Sequence, residues 1–163
     1  MEKTNNIGLH TEKSQELAQL LNELLANYSV FYQNTRGYHW NIAGDKFFEL
    51  HSNFEELYNG LQVKIDEVAE RIKILGFKPE HRFSEYLEWS QISESAPLSD
   101  GAACVENILV SLKALLQKQR RILQLSAEVE DEGTNSLMSD YIRAEEKMVW
   151  MYSAFLDEHH EPA

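Results

Sequence analysis

The 163 residues are 43% hydrophobic and 26% charged, with three prolines and seven glycines, the composition of one compact domain spanning residues 1–163. Fifteen Lys and Arg stand against 27 Asp and Glu, a net charge of −12 that excludes a simple basic, phosphate-seeking surface and makes cations the natural clients. The single cysteine, Cys104, excludes an intramolecular disulfide and a thiolate zinc cage, and reads as a small buried hydrophobe in a reducing compartment.

The first residues show no charged start leading into an apolar run, and no stretch approaches the ~20 apolar residues that span a bilayer, so a cytoplasmic location without a membrane partner is expected. Between the prolines at 79, 97 and 162, apolar residues recur at three- and four-residue spacing, which predicts helices. The first runs from about Thr11 to about Asn41 with Leu17, Leu20, Leu24, Tyr28, Phe31 and Tyr38 on one stripe, and Thr11 or Ser14 is placed to cap it. Asn41-Ile42-Ala43-Gly44-Asp45 breaks the pattern, with a glycine suited to a helix end and an aspartate suited to the next N-cap.

The second helix runs from about Lys46 to Leu75 through Phe47, Leu50, Phe54, Leu57, Leu61, Ile65, Val68 and Ile72, and Gly76 ends it. Residues 77–98 form a long connection with a short helix over Ser84–Trp89, long enough to cross a bundle. A third helix is expected from about Ser99 to Ala127 through Val105, Ile108, Leu112, Leu115 and Ile122. After the acidic run Glu128–Glu132 and Gly133, a fourth is expected from about Thr134 to Asp157 through Leu137, Tyr141, Ala144, Met148, Met151 and Phe155. No alternating β-pattern competes, so the fold class is all-α: a ferritin-like four-helix bundle with a short extra helix in the crossover between helices two and three.

Histidines and carboxylates around the first turn carry the chemistry. His39 precedes Gly44 by five residues and His51 follows it by seven, so an antiparallel hairpin sets the two imidazoles at about one height. His51 and Glu55 are i,i+4 on one helical face, as are Asp66 and Glu70; each pair can chelate or be a solvated surface pair. From His51 to Asp66 the helix turns only ~60° beyond whole turns but rises ~22 Å, so within one chain these are two half-sites on a shared face. A second copy about a two-fold axis would bring one chain's acidic pair to the other's histidines. No glutamate has a histidine three residues later, so the Glu-x-x-His motif of a di-iron site inside one bundle is absent.

Tyr38-His39-Trp40-Asn41, Gly44, Phe47-Phe48, Leu50-His51, Phe54-Glu55, Tyr58, Asp66-Glu67-Val68-Ala69-Glu70-Arg71 and Leu75-Gly76 together resemble the signature of the Dps-type miniferritins. The likeness extends to Gly133-Thr134 and Val149-Trp150-Met151, and so covers the whole chain. It implies a ferroxidase and iron-storage protein: a hollow dodecamer of identical four-helix subunits that oxidises Fe(II), preferably with hydrogen peroxide, at di-iron centres on its two-fold interfaces. His39, His51 and Glu55 would come from one subunit, Asp66 and Glu70 from its partner, and Glu55 stands where the family more often has aspartate. Mixed imidazole and carboxylate ligands suit Fe(II), with zinc, manganese and cobalt as open alternatives.

Trp40, beside His39, is either a packed aromatic or a radical sink near the iron, while Trp89 and Trp150 read as structural. The cluster Glu128, Glu130, Asp131 and Glu132 is either a solvated loop or, by the resemblance, the lining of an acidic entry pore, Glu132 above all. His10, His81, His159 and His160 lack partner spacing and read as nonligands. Two rival functions are a DNA-compacting shell protein with secondary iron chemistry and a helical adaptor with incidental histidines. Residues 1–20 hold only Lys3 and Lys13 against Glu2, Glu12 and Glu16, which predicts weak direct DNA binding.

Overall fold

The computed structural model describes residues 3–160, side chains of 158–160 excepted. It consists of α1 (Thr11–Asn41), α2 (Phe47–Ile74), the short α3 (Phe83–Trp89), α4 (Gly101–Glu128) and α5 (Glu132–His160). α1 packs on α2 and α4 packs on α5 as two hairpins, and α1 joins the two through its contacts with α4 and with the crossover helix α3. This is the expected ferritin-like bundle.

The apolar stripes meet in one core. Leu17, Leu21, Leu24 and Phe31 of α1, Phe54, Leu61 and Ile72 of α2, and Ile108, Leu112 and Ile122 of α4 are all fully or almost fully buried. Cys104 is buried among them, and burial pushes its thiol up to about 11, so it is a packing residue and not a reactive one.

The α1/α2 turn closes at Gly44, whose φ of +107° lies in the left-handed region, and Ala43 N–H donates to the Ser99 carbonyl at 3.0 Å, tying the turn to the start of α4. Gly76, at φ +94°, ends α2 as expected. Three caps differ from expectation. His10, not Thr11 or Ser14, caps α1 by accepting Lys13 N–H on its ring nitrogen at 3.4 Å, while Ser14 is buried. Asp45 lies in the turn and α2 starts without a side-chain cap, because Phe47 N–H already bonds the Gly44 carbonyl at 3.2 Å.

The third difference is at α5, which starts at Glu132, two residues before the expected Thr134. Asp131 Oδ1 accepts Thr134 N–H at 3.0 Å and so caps the extra turn. The left-handed residue of the α4/α5 turn is Glu130, at φ +63°, and Gly133 lies inside the helix.

The crossover is held by three asparagines along α1. Asn22 bonds Lys78 and Glu80 backbone at 3.2 and 2.8 Å, Asn27 Oδ1 accepts Gln91 and Ile92 N–H at 3.0 and 3.2 Å, and Asn34 takes Ser93 and Ser95 at 2.9 Å each. Each amide supplies what an irregular segment lacks, a partner for backbone groups that no helix satisfies.

Candidate metal centre

His39 lies in the last turn of α1 and His51 in the first turns of α2, and the short turn between these helices brings their rings together. The imidazoles stack with centroids 3.8 Å apart and planes 15° from parallel. His39 Nδ1 lies 2.6 Å from the His51 carbonyl oxygen, and His51 Nδ1 lies 2.8 Å from the His39 carbonyl oxygen. A carbonyl only accepts, so both Nδ1 atoms carry a proton, and in the neutral ring Nε2 is the nitrogen with the lone pair. A backbone acceptor on one ring nitrogen, fixing tautomer and orientation, is the arrangement in which histidine binds metal through the other. Phe47 stacks on the His51 ring at 4.9 Å and Tyr58 meets the His39 ring edge-on at 5.4 Å, so aromatic faces box the pair.

Glu55 follows one turn after His51 and is exposed, as are Asp66 and Glu70 further along α2. With the 82%-exposed Phe48 and the 58%-exposed Val63, these carboxylates occupy one outward arc of α2, ~80° wide at 100° per residue. Among the described residues no three His, Cys, Asp or Glu side chains gather around one point as a metal site within the single chain. His39 and His51 are brought together; the acidic pair is left on the same face, displaced along the helix.

Arg71, next to Glu70, points the other way. Its Nη2 lies 2.6 Å from Asp131 Oδ1 and its Nε donates to Thr134 Oγ1 at 2.9 Å, pinning the end of α2 to the start of α5. Asp131 is therefore 2% exposed and structural, which corrects its place in a solvated acidic loop; Glu128, Glu130 and Glu132 are exposed. Gly133 follows from the same clamp, since a Cβ there would stand 2.6 Å from the Arg71 guanidinium.

Trp40 is 56% exposed and lies under the Arg36 guanidinium at 4.8 Å, so within the chain it is no core aromatic. Within the single chain Trp150 is likewise exposed at 67%, while Trp89 is half-buried. His10 is the α1 cap and His81 is exposed; the side chains of His159 and His160 lie outside the described residues.

Sequence periodicity missed a polar cluster in the middle of the bundle. Tyr28, Gln119 and Glu145 are fully buried: Tyr28 O–H donates to Glu145 Oε2 at 2.5 Å and sits against Gln119 Oε1, while Gln119 Nε2 donates to Glu145 Oε1 at 3.0 Å. Lys64 Nζ lies 3.4 Å from Glu145 and above the Tyr141 ring, whose hydroxyl donates to Glu67 at 3.0 Å. Burial holds the Glu145 carboxyl above the usual carboxylate range, against the pull of Lys64. Burial, then Glu145, holds the Tyr28 phenol well above its ordinary value. These donors already have a resident cation in the Lys64 ammonium. The signal was present: Gln119 sits four residues after Leu115 and three before Ile122, and Glu145 four after Tyr141, both in register with the buried stripes.

A long four-helix bundle with a short helix in its crossover is the ferritin-like architecture, and the ferritin-like domain family matches residues 18–160. A crystal structure of a Dps protein from Vibrio cholerae O1, described as a member of a broad superfamily of ferritin-like diiron-carboxylate proteins, superposes with a TM-score of 0.93 at 57% identity, covering 94% of this chain and 96% of that one. The Dps protein of Bacillus brevis superposes with a TM-score of 0.86 at 33% identity, over 89% and 97% of the two chains. The DNA protection during starvation protein of Porphyromonas gingivalis is 43% identical over 91% of this chain and 93% of its own. The chain belongs to the Dps-type miniferritins.

Proposed function

We propose that the protein oxidises Fe(II) and stores the ferric product, as a homo-oligomer whose oxidation sites form at two-fold seams. The observation that carries this reading is the reciprocal His39–His51 lock, which ties each Nδ1 to a backbone carbonyl on stacked rings and leaves each Nε2 as the ring nitrogen for a metal. Two imidazoles held this way cost little to reorganise when a metal arrives, and Glu55 one turn away adds a carboxylate to the same subunit's share. Asp66 and Glu70 of a second subunit would complete each site. The exposed apolar residues Phe48 and Val63 on the same arc of α2 support a partner there, since a lone chain gains nothing by showing them to water.

Fe(II) is the substrate. With two ferrous ions in one site, hydrogen peroxide takes one electron from each: two Fe(II), one peroxide and two protons give two Fe(III) and two waters, and no hydroxyl radical leaves. The chain supplies orientation and negative charge for cations, and no nucleophile. A stored ferric mineral inside a closed shell, a dodecamer by family resemblance, follows from the same assembly. The Porphyromonas gingivalis relative is named for DNA protection; in this chain that protection would act through removal of Fe(II) and peroxide, with direct DNA binding weak.

The test is anaerobic Fe(II) loading followed by peroxide, comparing wild type with His39→Ala/His51→Ala while size exclusion follows assembly. Rapid oxidation in wild type and its loss in an equally assembled double variant support the site. Equal rates in the two proteins, or a monomer at working concentration, would remove it.

A further inference from the structure

An aromatic path leads from the imidazole pair into the bundle core. The Tyr58 ring stands edge-on to His39 at 5.4 Å and to Tyr32 at 5.9 Å. One turn of α1, a rise of ~6 Å, separates Tyr32 from Tyr28. Tyr28 is fully buried, its O–H donates to a carboxylate oxygen of Glu145 at 2.5 Å, and its ring meets Tyr141 edge-on at 5.9 Å. None of these phenols has a role in binding Fe(II), and a buried phenol hydrogen-bonded to a carboxylate is an expensive way to fill a core.

The geometry points to Tyr28 as an electron reserve for the iron site, feeding it one electron through Tyr32 and Tyr58 when a site holds a single Fe(II). This rests on the Fe(II)-oxidising reading above. Peroxide needs two electrons to leave as water, and one Fe(II) supplies one; unaided, the products are hydroxide and a hydroxyl radical. With the reserve, hydrogen peroxide, one Fe(II), the Tyr28 phenol, the Glu145 carboxylate and two solvent protons give two waters, Fe(III), a Tyr28 phenoxyl radical and a protonated Glu145. The phenol proton crosses the existing bond to Glu145, and the electron leaves through the rings.

Glu145 is then uncharged, and Lys64, whose side chain is 13% exposed and so keeps contact with solvent, carries the charge of the cluster. Because burial and Glu145 oppose formation of the phenolate, the proton leaves Tyr28 only together with the electron. A later Fe(II) reduces the radical, Glu145 returns the proton, and the reserve is restored. This route runs inward, away from the exposed Trp40, so the oxidising equivalent is held where neither solvent nor DNA reaches it.

The experiment uses the assembled protein carrying one Fe(II) per site anaerobically, mixed with peroxide and freeze-quenched for electron paramagnetic resonance, with ring-deuterated tyrosine to identify the signal. Wild type is expected to give a tyrosyl signal that narrows on deuteration. Tyr28→Phe and Tyr32→Phe are each expected to lose it and to release more hydroxyl radical to a spin trap. Tyr32→Phe breaks the path outside the buried network, so it stands in should Tyr28→Phe fail to assemble. A signal of unchanged yield and shape in the variants, or its absence from a wild type that oxidises Fe(II) in a His39- and His51-dependent manner, overturns the reserve while the iron site stands. Oxidation no faster than in His39→Ala/His51→Ala removes both.

Discussion

His39 and His51 each donate an Nδ1 proton to the other's backbone carbonyl, across 2.6 and 2.8 Å, so the last turn of α1 and the first turns of α2 fix each other's imidazole. The tautomer is consequently set before any metal arrives. In metal-free protein, nitrogen NMR at mildly alkaline pH is expected to show both rings as Nδ1–H species; an Nε2–H tautomer in either ring would contradict the lock. His51→Asn keeps an amide donor near the position of Nδ1 and removes Nε2. It is expected to retain the hairpin and lose Co(II) binding, while replacing a residue that only orients a ligand typically costs about 10–100-fold in affinity.

The helices and the shared face of the ligand candidates were legible because they follow from period and rise alone. α1 spans Thr11–Asn41 as expected, and α2 lies within one residue of expectation at each end. What was not legible depends on contacts across the chain. Asn22, Asn27 and Asn34 look like ordinary polar positions on α1 until the crossover is laid against them. Gly133 read as loop punctuation, whereas it lies inside α5 with the Arg71 guanidinium of another helix in the space a Cβ would take. The expected α5 stripe keeps Tyr141 but moves from Ala144 and Met151 to Met138, Glu145 and Tyr152, because a hydrophobicity pattern does not credit a buried carboxylate. Asp66 and Glu70 stay half-legible for a different reason: their partners would belong to a second subunit.

Lys64 and Glu145 form an ion pair with side chains 13% and 0% exposed, where loss of one partner costs more than loss of both. Lys64→Met alone leaves the carboxylate without its cation and is expected to cost about 3–5 kcal/mol. Lys64→Met/Glu145→Gln is expected to recover most of that. Denaturant midpoints of the assembled protein check the order, and a double variant less stable than Lys64→Met would show that the pair is not the unit.

The same carboxyl sets a pH dependence. Glu145 is held above the usual range by burial, and lowered by Lys64, Tyr28 and Gln119, with burial winning. Its folded value therefore exceeds its unfolded value, so the folded state binds the extra proton. This contribution to stability is fully present below the unfolded value near 4.5 and is lost as pH rises through the folded value. Glu145→Gln lacks the group. Its stability relative to wild type is expected to rise with pH over the interval above 4.5 and then level off, as read from unfolding midpoints in a buffer series. A difference that falls with pH would reverse the assignment.

Gly133→Ala is a test of the Arg71 clamp. The new Cβ would fall 2.6 Å from both terminal guanidinium nitrogens, so Arg71 has to shift from its present contacts with Asp131 and Thr134. Asp131, 2% exposed, is then left with less than its full set of partners, an expected loss of about 1–3 kcal/mol. Arg71→Met should cost a similar amount, and the two together little more than either, because both act through one contact. Additive losses in a thermal-unfolding comparison would mean that the glycine matters for some other reason.

Charge separates the iron reading from a DNA-coating one. Each chain carries −12, and through residues 1–20 the basic residues are few, with Lys3 and Lys13 set against Glu2, Glu12 and Glu16. Oligomerisation multiplies that charge, and a duplex can bind only where enough cations are released from its phosphates to offset the repulsion. Gel retardation across a salt series is therefore expected to show no retention at physiological salt, with any binding at low salt vanishing steeply as salt is raised. Protection of DNA from Fe(II) and peroxide should nevertheless persist at salt concentrations where no complex forms, and should disappear in His39→Ala/His51→Ala. Protection that instead tracks retention on the gel, and survives loss of both histidines, would assign the effect to coating and not to iron chemistry.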